Sequence, residues 1–146
     1  MFIFNIKKYL TVGIVIFILV VMQSQSNIAQ TDLQTKSIFT VDFAKAKTGE
    51  YENYLEFLKL NWVEARNIAL KKKQIKSFQL LILPKDEASD WHFVLITEYK
   101  IGKQYSEMEK NFAEIFKKNG VKLINGKSSR DMADIVISKE LTSPIK

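Results

Sequence analysis

The sequence predicts an α+β domain with the element order strand, helix, strand, strand, helix, strand, preceded by an N-terminal export segment. Three observations predict it. Residues 37–47, SIFTVDFAKAK, alternate as a half-buried strand does. Residues 50–73 place apolar side chains at three- and four-residue spacing, which marks one buried stripe on a long helix. Two apolar runs, 75–83 and 91–100, flank a short polar stretch that opens with Pro84, as the arms of a hairpin do.

The chain has 146 residues, 47% of them hydrophobic and 26% charged, which suits one folded domain. It has no cysteine, so a disulfide framework, a thiolate metal site and a cysteine nucleophile are all excluded. A single histidine excludes a two-histidine metal site within one chain. Neither a Gly-rich phosphate loop nor a hydrolase nucleophile elbow is present. No metal and no cofactor is implied.

Residues 1–29 have the form of a signal peptide. Lys7 and Lys8 make a positive start, residues 9–22 an uncharged apolar run, and 23–27 a polar exit toward Ala29. The run has 14 residues, short of the roughly 20 that span a bilayer and within the range of a signal-peptide core. An extracytoplasmic (periplasmic or secreted) product of residues 30–146, forming one domain, is expected. The alternative is a chain tethered to the membrane by residues 9–22. Loss of Lys7 and Lys8 with the segment takes the net charge from +6 to +4. The clusters 71–73 and 117–118 fall at helix ends, where cations complement the helix dipole. No nucleic-acid partner is expected.

In the first strand, Phe39, Val41 and Phe43 point one way and Thr40, Asp42 and Ala44 the other. Thr48 is the expected N-cap of the long helix, with Glu50 and Glu52 in its first turn. Tyr51, Tyr54, Leu55, Leu58, Trp62, Ala65 and Ala69 form its buried stripe, and a bend is expected near Asn67. After the hairpin, Ser106 to Glu109 has the form of a capping box. Tyr105, Met108, Phe112, Ile115 and Phe116 make the buried face of the second helix, which Asn119-Gly120 ends. Asn125-Gly126 reads as a turn, and residues 132–141 as the last strand, centred on Ile135, Val136 and Ile137.

This is the split βαβ order of ferredoxin-like domains, a four-stranded antiparallel sheet with both helices on one face. The free face then needs a cover, and a second copy of the chain is the economical one. The stretch from Ser37 to Leu141 resembles exported members of the dimeric alpha-beta barrel superfamily. The resemblance lies in the element order, the run Val41-Asp42-Phe43, the Trp62 helix, Ile75-Lys76-Ser77-Phe78, and residues 94–99. That superfamily includes antibiotic-biosynthesis monooxygenases, haem-degrading monooxygenases and the NIPSNAP group. The resemblance implies a homodimer in which two sheets close face to face. Haem-degrading members use an asparagine on the first strand, a tryptophan on the third and a histidine on the second helix. Here Asp42 and Trp91 stand at the first two places, and the second helix has no histidine.

With helices over Phe39, Val41 and Phe43, the barrel would be lined from the other face. Thr40 and Asp42 of the first strand, Gln79 beside Ser77 on the second, and His92 with Val94, Ile96 and Glu98 on the third then supply polar groups on an apolar ground, with Trp91 at the rim. Asp42 and His92 are the candidate general bases. Trp62 is expected in the core, Glu98 in solvent, and Arg66 and Arg130 in surface ion pairs, although either arginine can hold a carboxylate ligand. On this assignment Phe43→Ala costs about 3–5 kcal/mol.

The expected function is binding of a small organic ligand in the barrel. Two alternatives stand beside it: a cofactor-independent oxidation of the monooxygenase kind, and a structural or interaction dimer with a filled barrel.

Overall fold

The structure, a computed structural model, describes residues 36–86, 88–100 and 102–143. The expected signal peptide lies outside the described residues. Strand β1 is Ser37–Ala46, followed by the long helix α1 (51–71), then β2 (Ser77–Ile82) and β3 (Phe93–Lys100). Next come a short turn of helix α2 (Lys103–Ser106), α3 (Met108–Asn119), another short turn α4 (Ser129–Met132), and β4 (Ala133–Thr142). The sheet order is β2-β3-β1-β4, with every pairing antiparallel. The fold is ferredoxin-like.

All the helices among the described residues pack on one face. Tyr51, Tyr54, Phe57, Leu58 and Trp62 of α1 meet Ala44, Ala46, Phe93 and Leu95 of the sheet. A second cluster joins Ala65 and Ala69 to Tyr99 and to Ile115 of α3. The stripe expected on α1 is the stripe that is buried, apart from the partly buried Leu55.

The register inverts the expected sheet faces. Asp42 pairs with Leu95, Thr40 with Thr97 and Ala44 with Phe93, and Leu95 and Phe93 belong to the helix-side core. Paired residues share a face, so Thr40 and Asp42 face the helices. Phe39, Val41 and Phe43 face away, beside Val94, Ile96, Ile137 and Leu141. The reason is size. The rings of Tyr51, Tyr54 and Phe57 need space at the sheet, and Ala44 and Ala46 provide it where Phe39 and Phe43 would not. A bulge between Phe43 and Ala44 shifts the register against β4, an irregularity that bends a strand and re-aims its side chains.

Helix α1 does not bend near Asn67. It runs through a π-helical stretch, Leu58–Val63, between α-helical flanks Tyr51–Phe57 and Glu64–Lys71. The expected caps also differ. Glu50, not Thr48, is the N-cap of α1, and its carboxylate binds Lys127 and Asn53. Ser106 does not cap α3, whose N-cap is Glu107. The capping box is instead at Ser128, where the Asp131 carboxylate accepts from the Ser128 N–H at 2.7 Å and from its hydroxyl at 2.6 Å. Asn125 and Gly126 both have positive φ (50° and 76°), as a tight two-residue turn requires, and Ile124 and Lys127 bridge across them.

Candidate functional site

The inverted faces bring Asp42 against the helices, and there the sheet and helix layers do not close completely. A cavity of about 260 Å³ is lined by Asp42 and Leu95 from the sheet, Tyr54, Phe57, Leu58, Asn61, Trp62 and Arg66 from α1, and Phe116 from α3. A second, of about 370 Å³, shares Asp42, Arg66 and Phe116 and adds Thr40, Tyr99, Met108, Phe112 and the β4 residues Ser138, Lys139 and Glu140. The two spaces form one cleft, with Arg66 and Asp42 at their junction.

The π-helical stretch supplies Leu58, Asn61 and Trp62 to this wall. Such single-turn departures recur at functional sites. Asn61 is 5% exposed and fully used. Its Nδ2 donates to the carbonyls of Phe57 and Lys122, both at 3.0 Å, and its Oδ1 accepts from the Lys122 N–H at 2.7 Å. Asn61 therefore ties the segment after α3 to the π turn.

Arg66 lies inside the cleft. Its guanidinium carbon is 4.4 Å from the centre of the Trp62 ring and 4.3 Å from that of Phe112. Its Nε donates to Thr97 Oγ1 over a long 3.4 Å. Among the described residues it makes no ion pair, which corrects the expected surface pairing. Burial pushes the guanidinium down to about 10, with nearby Tyr99 and Asp42 acting in the opposite direction. Burial likewise raises the Tyr99 and Tyr54 hydroxyls. Asp42 is held from β4, its Oδ1 accepting from Ser138 Oγ at 2.5 Å.

The five sequence-derived ligand candidates separate. Thr40 and Asp42 line the helix-side cleft. Gln79 lies on the opposite face in register with Ile96, and Trp91 packs edge-on against Phe43 at a centroid distance of 5.1 Å. His92 is on neither surface. It precedes β3, so its ring does not join Val94, Ile96 and Glu98 on the open face. The ring is buried beside Tyr51, where Nδ1 accepts the Ala46 N–H at 3.0 Å and Nε2 donates to the Asp86 carbonyl at 2.8 Å. Both nitrogens are occupied by backbone, which leaves no group for a ligand.

Glu98 is not simply solvated. It is half-buried and accepts from Lys76 Nζ at 2.7 Å and Ser77 Oγ at 2.6 Å. Trp62 is buried, as expected, and also walls the cleft. Sequence reasoning missed Asn61 as a site residue, and named Arg66 as a possible carboxylate holder only beside the surface pairing it expected. The available signal was that Arg66 is one of two arginines and sits four residues after Trp62, on the border of the apolar stripe.

No family model matches the sequence, and no curated protein matches it. Among solved structures, the chain is similar to a dimeric protein of unknown function with a ferredoxin-like fold from Bacteroides fragilis. The identity is 12% and the TM-score 0.46, over 74% of this chain and 94% of that one. It is also similar to a dabb family protein with a ferredoxin-like fold from Mesorhizobium loti, at 15% identity and TM-score 0.42, over 75% of this chain and 95% of that one.

Proposed function

We propose that this chain is an exported, homodimeric alpha-beta barrel protein that binds a small organic molecule in the helix–sheet cleft of each protomer. The observation that carries the proposal is the cleft itself. An arginine and an aspartate from different elements line both of two adjoining cavities otherwise walled largely by Trp62, Leu58, Leu95 and Phe116. Apolar walls with a few placed polar groups are the usual character of a ligand site.

Homodimerisation is supported by the other face. Phe39, Val41, Phe43, Val94, Ile96, Ile137 and Leu141 lie side by side in the sheet register, and among the described residues no helix covers them. Contiguous apolar patches of this kind mark interaction surfaces. Export is supported by Lys7-Lys8 and the apolar run 9–22.

The test is a fragment screen against the full-length chain, using neutral and acidic single-ring aromatics, read by saturation-transfer NMR. Val121→Trp is the control, because Val121 lines the cavity yet is 53% exposed, so the larger ring obstructs the mouth without overpacking the core. Binding that Val121→Trp abolishes supports the proposal. Absence of binding, or binding indifferent to Val121→Trp, overturns it and leaves the purely structural dimer.

A further inference from the structure

Building on the cleft as a ligand site, we infer that its occupant is a planar organic acid bearing a single carboxylate, which docks on the guanidinium of Arg66 while its ring lies against Trp62 and Phe116.

Arg66 has donors to spare. A guanidinium carries five N–H donors, and only the Nε–H has a hydrogen-bond acceptor among the described residues, at 3.4 Å. The Trp62 and Phe112 rings offer π-faces to the cation, but a ring accepts no in-plane hydrogen bond. The Nη donors are thus left for a group in the guanidinium plane. A carboxylate presents two oxygens in that plane and takes two parallel bonds at once.

Charge decides between a monoanion and a phosphate. Around Arg66 the cleft carries three carboxylates, Asp42, Glu109 and Glu140, while Lys139 of its wall is in register with Val41 and so belongs to the outward face. A doubly charged phosphate would feel that negative excess twice over and a monoanion once, and the fork of one arginine satisfies both oxygens of a single carboxylate. The aromatic walls select a flat organic body. Asp42 Oδ1 is taken by Ser138, and the remaining lone pairs of Asp42 accept from a hydroxyl on the far side of the ligand ring.

The experiment is calorimetric titration of the full-length chain with benzoate, 4-hydroxybenzoate and the uncharged isostere benzamide. The acids bind and benzamide binds about tenfold or more weakly, since it forfeits a charge-assisted pair. Arg66→Gln removes that difference, and Arg66→Lys recovers part of it by restoring charge without the fork. If Arg66→Gln fails to fold, the benzoate–benzamide ratio in the unaltered chain still decides. Benzamide binding as tightly as benzoate overturns the acid class and leaves the ligand site standing. If no aromatic of either charge binds, the site reading falls and the acid class with it.

Discussion

Arg66 stands one helical turn beyond Trp62, and its guanidinium carbon lies 4.4 Å from the centre of the Trp62 ring. The pair is local to α1, yet it sits inside the cleft, where water screens it little. A double-mutant cycle of Trp62→Leu and Arg66→Gln, followed by urea unfolding, is expected to return a coupling of about 0.5–2 kcal/mol. Additive effects would mean that the ring and the cation are independent.

His92 holds structure. Replacing it with Phe preserves the ring beside Tyr51 but strips the acceptor from the Ala46 N–H and the donor from the Asp86 carbonyl. A cost of about 1–3 kcal/mol is expected for these stranded groups, with fragment binding in the cleft unchanged. Loss of binding at unaltered stability would restore His92 as a site residue.

Asn61 joins the π turn to the backbone of Lys122 through two hydrogen bonds and makes a third to the Phe57 carbonyl. Asn61→Ala should make the Lys122 amide exchange hydrogen faster, while amides in β1 and β3 keep their protection. Uniform loss of protection would mean that Asn61 supports the entire fold.

Glu98 contributes to acid sensitivity. Burial alone pushes its carboxyl up, but hydrogen bonds from Lys76, Ser77 and Ser37, together with the Lys76 charge, outweigh this and hold it below the usual range. A depressed carboxyl stabilises the fold above its unfolded value of about 4.3. That stability is lost as the pH falls through the lower folded value. The acid limb of a stability–pH profile should therefore be shallower in Glu98→Gln than in the parent, with the two curves parallel above pH 6.

Phe43 changes meaning with the inverted faces. It lies away from the helix-side core, half-buried against Trp91, so Phe43→Ala is expected to cost about 1–2 kcal/mol, less than a core phenylalanine. Phe43→Asp should keep the helical circular dichroism and halve the mass seen by light scattering. An unchanged mass would remove this face from the proposed dimer interface.

The element order was legible because the two hydrophobic periods differ so clearly between residues 37–47 and 50–73. Strand β1 ends at Ala46, within a residue of where its alternation stops. The faces were not legible. Alternation within β1 separates Phe43 from Asp42 without saying which of them meets the helices. That choice depends on three rings of α1 finding two alanines, a fit between elements far apart in the chain. The π turn was hidden for a related reason. Leu58 and Trp62 are four residues apart, a spacing that an ordinary helix also satisfies, so the apolar pattern carried no trace of it. The site followed from both hidden features: Asp42 comes to the cleft by the register, and Asn61 and Trp62 line it from the π turn.

The stretch Leu58–Val63 also bears on how this chain can change length over generations. A π turn holds one residue more than the α turn it replaces, so it absorbs an inserted residue without twisting its flanks. Elsewhere in a helix each added residue swings everything after it by about 100°, which would carry Ala65 and Ala69 off the sheet. Deletion of one codon in α1 should therefore survive selection at 58–63, where it returns the π turn to an α turn, and be purged on either side of it.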